Sequence, residues 1–357
     1  MTIRVLIAGF VAVALTMTGV QPASAKEPSA KEPSTLVGSV RAAESKPWIK
    51  LAGTSGKVND EAGKLRLASY SLVFDAGQGH YGYLREGEKF VKTPYRAALV
   101  APGGRWVAGI PDYRLWTAQK KIDLIDRRTG RKHTVRLPAP VTSPEWAPDG
   151  RTLLLTAYDK RRDGSLTIIG FITLNVADRV PRLVEAGPRH IVSDWSIGRE
   201  FRFFFAGGSA RVLARHNEAD DSSPKSRIAV YDLRGKPRRY YTGVGAPDEW
   251  SAAQVFSPSG RLLATVVRDD DLRAEIRIVE AATGKVVHRF GGKDVRAFMG
   301  WYDDAHVIVQ RERGRTQLFQ RVDLSGGAAL DLIREKLVAN PAEYEPHLER
   351  VNFVRLD

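Results

Sequence analysis

The sequence predicts an all-β fold: a single β-propeller of six four-stranded blades, with seven as the alternative count, preceded by a signal peptide. Three observations predict it. One turn signal recurs before apolar runs, a second recurs after them, and the two alternate in phase along the chain.

The first signal is a Pro-Gly turn. Trp146-Ala147-Pro148-Asp149-Gly150-Arg151 precedes TLLLTAY, and Phe256-Ser257-Pro258-Ser259-Gly260-Arg261 precedes LLATVV. Val100-Ala101-Pro102-Gly103-Gly104-Arg105 precedes WVAGI. Looser copies are read at Trp195-Ser196-Ile197-Gly198-Arg199, before EFRFFF, and at Trp301-Tyr302-Asp303-Asp304. Proline pre-sets φ for the first turn position, and Asp, Ser and Gly accept the remaining geometry. The flanking runs are rich in β-branched and aromatic residues, as strands are.

The second signal is an apolar strand that ends in a polar tight turn. Ile122–Asp126 leads into Thr129-Gly130, Ile276–Glu280 into Thr283-Gly284, and Ile228–Asp232 into Arg234-Gly235. Weaker copies fall at Ser71–Asp75, Phe171–Leu174 and Phe319–Leu324. The copies begin near 70, 122, 170, 228, 276 and 318. That period, roughly 40 to 60 residues, is the length of one propeller blade. The only helix-like stretch is Ala328–Ala339.

The W-A-P-D-G-R copy at 146–151 resembles the propeller repeat of the TolB type, related to WD repeats. The resemblance covers most of residues 60–325. It implies a fold and no partner, because the motif is short and recurs in unrelated propellers. The copies at 195 and 301 depart from it, blade one lacks a clear copy, and the helical N-terminal domain of the family is not seen. Ring closure needs a shared blade. Val351–Leu356 and the region Leu36–Leu51 read as the strands that meet in it, hiding sheet edges that would invite aggregation.

The chain begins with a segment of a different kind. Its first 25 residues carry one charge, Arg4. An apolar stretch from Val5 to Val20 leads to Pro22-Ala23-Ser24-Ala25, which fits an A-x-A cleavage site. The stretch is about 16 residues, short of the roughly 20 that span a bilayer. Residues 1–25 are therefore read as a signal peptide cleaved after Ala25, with retention as an anchor the rival reading. Residues 26–35, where KEPS occurs twice, read as a flexible linker. Residues 36–357 are assigned to the propeller, in a secreted or extracytoplasmic protein with no membrane span after cleavage.

Composition limits the chemistry. There is no Cys, so disulfides, Cys-type zinc sites, thiol nucleophiles and a cysteine-linked lipid anchor are excluded. Lys plus Arg number 55 against 41 Asp plus Glu, a formal net charge of +14. A basic surface attracts polyanions through a salt-screened field. The expected partner is an unidentified protein or an anionic envelope polymer, and the export signal argues against nucleic acid.

No cofactor, metal or catalytic residue is assigned. Gly77-Gln78-Gly79-His80-Tyr81-Gly82 matches G-x-G-x-x-G, but a dinucleotide site needs a helix next. The following YLREGEKFVKTPYR has strand and turn character. No two of the seven histidines share metal-ligand spacing on one element. The acidic runs 218–221 and 268–271 lack EF-hand spacing and read as solvated loops. Trp146, Trp195 and Trp301 are read at one repeat position, which points to packing between blades. Trp116 and Trp250 fall off that register.

In a four-stranded blade the Pro-Gly and Thr-Gly hairpins share one face of the disc. The other loops are longer and more charged here, and loops on a rigid scaffold carry function. The candidate binding face therefore comprises Asp112, Tyr113, Arg161, Arg189, His190, Trp250, Arg268, Asp270 and Arg311. The functional expectation is a non-enzymatic binding or scaffold protein. The alternative is an extracytoplasmic lyase, lactonase or glycosidase with a channel-mouth site.

Overall fold

Strand pairing and burial divide the chain into six repeating sheets. The computed structural model describes residues 48–60, 63, 65–73, 80–111, 120–160, 165–187, 191–192, 202–216, 223–248, 254–269, 271, 273–337 and 346–355. All belong to the unit Ser45–Asp357. No α-helix occurs among them, and every ladder is antiparallel.

Each sheet is one blade, with strands A to D from the channel outward. Blade 2 is Ala97–Val100, Trp106–Ile110, Lys121–Asp126 and Arg131–Arg136. Blade 3 is Val141–Trp146, Thr152–Lys160, Leu166–Asn175 and Pro181–Glu185. Blade 4 is Phe204–Phe205, Arg211–Arg215, Arg227–Asp232 and Pro237–Thr242. Blade 5 has Leu262–Arg268, Ala274–Glu280 and Val286–Phe290 as strands B to D. Its A position is held by single bridges, Phe256 to Leu263 and Ala246 to Val266. Blade 6 is Val295–Trp301, His306–Arg313, Thr316–Asp323 and Leu330–Lys336. Blade 1 takes its A strand from the C-terminus, His347–Arg355, followed by Leu65–Val73, His80–Glu86 and Lys89–Lys92.

The apolar runs are continuous because each blade is buried on both faces. Successive strand residues point to opposite faces. Thus Leu153 and Leu155 pack toward blade 2, while Leu154 packs toward blade 4. All three are fully buried, each contributing about 1.5–3 kcal/mol. Six apolar clusters result, one between each pair of adjacent blades. The cluster joining blade 6 to blade 1 closes the ring and fixes the count at six.

The A–B turns repeat in geometry. Ala101, Ala147, Ala206 and Ser257 each donate their N–H across the turn, to Trp106, Thr152, Arg211 and Leu262, at 2.8–2.9 Å. Gly150 has φ +63°, and a Cβ there would lie 2.3 Å from the carbonyl of Pro102 in the neighbouring turn. Glycine is required on both counts.

Four sequence readings change. The blade 4 turn lies at Ala206–Ala210, not at Trp195–Arg199, and Phe203-Phe204-Phe205 belongs to the segment before the turn. Phe205, paired with Val212, therefore stands where Trp146, paired with Leu153, stands in blade 3. Trp195 lies outside the described residues. In blade 1, Ser71–Val73 belongs to strand B rather than C. The helix-like stretch at 328–339 contains strand Leu330–Lys336, whose Leu332 and Ile333 are buried against blade 1. Closure also uses two blades, not one. The C-terminal strand completes blade 1, while Lys57–Val58 and Ile49–Lys50 extend the outer edge of blade 6. Residues 36–47 lie outside the described residues.

Candidate functional site

The end of strand A carries an equivalent residue in five blades, Val100, Trp146, Phe205, Phe256 and Trp301 in blades 2 to 6. Four of these five, with Phe353 and the turn prolines Pro102, Pro148 and Pro258, line a cavity of about 280 Å³. The cavity therefore lies toward the face of the A–B turns. Its polar lining comes from Glu145, Gln254, Asn352 and Arg355.

Most of these polar groups are tied to backbone carbonyls. Trp146 Nε1 donates to Leu99 at 2.9 Å, and Trp301 Nε1 donates to Val255 at 2.9 Å. Each indole bond crosses to the preceding blade or its A segment. Asn352 Nδ2 donates to Val100 at 2.9 Å, Gln254 Nε2 to Trp146 at 3.4 Å, and Arg355 Nη2 to Tyr302 at 3.2 Å. The lining of the mouth thus ties the blades together.

Glu145 and Arg202 have side chains only 1% exposed, with Nη2 3.5 Å from Oε2. Glu145 Oε1 accepts the Phe205 N–H at 3.2 Å. The Arg202 guanidinium lies 4.2 Å from the Phe204 ring centre. Burial pushes the Glu145 carboxyl up to about 8, against the opposing pull of Arg202 and the Phe205 N–H. Desolvation of the carboxylate outweighs these two partners.

The candidate face of loops is only partly described. Asp112, Tyr113, Arg161, Arg189, His190, Trp250 and Asp270 lie outside the described residues, as do Trp116 and Trp195. The two described members are engaged in packing. Arg268 Nη2 bonds Asp248 at 2.8 Å and its Nη1 donates to Arg296 O. Asp248 in turn accepts the Phe298 N–H at 2.7 Å. Arg311 donates to Gly326 O at 2.9 Å and lies 3.6 Å from Asp294. Sequence could not show this, because the partners lie 15 to 28 residues away along the chain.

The G-x-G-x-x-G match leads into strand His80–Glu86 rather than a helix. Among the described residues no group of three His, Asp or Glu could hold a metal ion. His133 lies 2.9 Å from Arg179, His216 bonds Tyr231, and His306 bonds Asp303.

No family model matches the chain, and no curated protein matches it in sequence. The chain resembles TolB at the level of the propeller fold. Against TolB from Acinetobacter baumannii the identity is 14%, with 82% of this chain and 68% of that chain covered and a TM-score of 0.47. Kuenenia stuttgartiensis hydrazine synthase is also similar, at 13% identity and a TM-score of 0.43, covering 66% of this chain and 65% of that one. For the Pyrococcus horikoshii acylaminoacyl peptidase the identity is 12% and the TM-score 0.47, covering 77% of this chain and 46% of the peptidase. The chain thus spans under two thirds of the synthase chain and under half of the peptidase.

Proposed function

We propose that the chain is an exported, non-enzymatic propeller that binds a protein or polymer of the cell envelope. Its channel mouth takes an apolar segment of that partner. The observation that carries this reading is the cavity of about 280 Å³, walled by tryptophan, phenylalanine and proline. Binding sites are typically apolar concavities with a few fixed polar groups. A lyase, lactonase or glycosidase would need a second carboxylate or a metal beside the first. Glu145 is the one carboxylate among the described lining residues, and it is engaged by Arg202 and the Phe205 N–H. Export rests on Val5 to Ala25 of the sequence.

Pull-down from envelope extract tests the reading. Pro148 and Pro258 are exposed at the mouth, so P148W and P258W fill it from the turns. Each should cut recovery of the captured partner about tenfold, a loss of about 1.4 kcal/mol, while the melting temperature holds. Unchanged capture by both variants sinks the proposal. The loop-rich opposite face is proposed as a second contact. Arg161→Glu tests it, whereas reversal at Arg268 or Arg311 would also break blade packing.

A further inference from the structure

The outermost hairpin of blade 2 carries an excess of positive charge. Residues 127–136 read RRTGRKHTVR, with five Lys or Arg and no acid. Arg128, Arg131, Lys132 and Arg136 are all exposed, as is Lys121 on strand C. The register sets Lys121 directly opposite Arg136. Like charges at that position repel and destabilise a strand pair.

Like-charged neighbours occur at two other places on the outer strands, and in each a carboxylate reaches one of the cations. In the row Lys50–Lys57–Arg334, Asp331 lies 2.5 Å from Arg334. In Arg277–Arg289, Glu275 lies 2.6 Å from Arg277. Lys121 and Arg136 make no ion pair among the described residues, and neither do Arg128 and Arg131. Asp126 stands opposite Arg131 and attracts Arg128 but is bonded to Arg105 at 2.9 Å, and the nearest acid on the face of Lys121 and Arg136 is Asp123. It is already shared by Tyr95, Thr134 and Lys132, at 2.9, 2.6 and 3.6 Å.

Edge strands use charged residues to discourage pairing with other chains. That purpose does not require five cations, nor two set directly against each other without a carboxylate. The arrangement also selects among anions. Lys132 and Arg136 lie on one face of strand D, about 14 Å apart along it, while Arg131 points to the other. A flat surface meets one face at a time, whereas a flexible chain can wrap the edge and meet both.

We propose that this hairpin is a docking site for a linear polyanion, a flexible polymer bearing closely spaced anionic groups. The site is separate from the channel mouth and does not depend on the reading given to it.

The test uses the mature chain with labelled inorganic polyphosphate and polyglutamate, followed by anisotropy between 50 and 200 mM salt. One arm is phosphate and the other carboxylate, and tighter binding of either identifies the source. The triple variant K121Q/K132Q/R136Q should bind at least about tenfold more weakly, with the salt slope falling by roughly one per lost contact. K236Q/K285Q/R289Q removes equal charge from blades 4 and 5 and should change affinity less than threefold. K121Q alone guards against misfolding, because it should raise the melting temperature without polymer yet still weaken binding. Equal losses in the two triple variants would overturn the site, as would failure of both polymers to bind. So would binding only to vesicles of 30% phosphatidylserine in phosphatidylcholine.

Discussion

The indole N–H of Trp146 donates to the Leu99 carbonyl at 2.9 Å, joining blade 3 to blade 2 beside the channel. Trp301 repeats the bond on Val255, whose carbonyl also accepts the Ala264 N–H at 2.8 Å. The tryptophan thus uses the second lone pair of a ladder carbonyl. W146F and W301F should each lose about 1 kcal/mol for the bond, and somewhat more for the smaller ring. Both indoles line the same cavity, and Gln254, beside Val255, bonds the Trp146 carbonyl, so the double variant should depart from additivity by more than about 0.5 kcal/mol. Denaturant titration of the single and double variants measures this.

Glu145 and Arg202 predict an alkaline slope of stability. The Glu145 carboxyl is raised in the fold to about 8, and Glu335 is raised by burial in the same direction. A raised carboxyl binds a proton in the folded state that the unfolded chain has released. Stability is then fullest below the ordinary glutamate range and is lost as pH rises towards 8. Asp126, held down at about 2 by Arg105, does not titrate in that window. Melting temperature should fall between pH 5 and pH 8, and E145Q should flatten part of the fall. Arg202 is one of the two groups that hold the Glu145 carboxyl down, so R202M should raise it further and carry the fall in stability to higher pH, costing more above pH 8 than at pH 6.

Gly150 separates two costs that usually occur together. G150A meets both a positive φ and the Pro102 carbonyl, whereas Gly87, at φ +62°, has nothing within 4 Å of a built Cβ. G87A should cost about 1–2 kcal/mol for the left-handed backbone. G150A should cost clearly more, and the difference between the two midpoints measures how tightly neighbouring turns pack.

Glu335 holds the seam where both chain ends arrive. Its carboxylate accepts Thr54 Oγ1 from the N-terminal turn and the Leu348 N–H, at 3.2 Å, from the C-terminal strand. E335A should raise amide exchange in residues 49–58 and 347–351 while leaving blades 3 and 4 unchanged. Uniform exchange across all blades would contradict the seam.

The blades were legible in sequence where the turn chemistry is local. Pro148-Asp149-Gly150 and Pro258-Ser259-Gly260 announce their turns because φ is fixed by the residues themselves. Blade 4 was misread because Ala206-Gly207-Gly208-Ser209 lacks Pro and Asp, while Trp195 imitates a position that Phe205 holds. Blade 1 was misread because its A strand comes from the far end of the chain. The channel cavity, the Glu145–Arg202 pair and the Lys121–Arg136 opposition were invisible, since each depends on residues brought together by strand register.

The two ends of the ring differ in mechanical character. The C-terminal clasp is nine residues long and lies at the channel, against the two-residue strands Lys57–Val58 and Ile49–Lys50 on the outside of blade 6. Tension applied through the N-terminal segment would peel the short outer strands first, one rung at a time. The inner clasp would stay loaded only through the ring. A pull from that side would release a few residues of slack before it strained the channel.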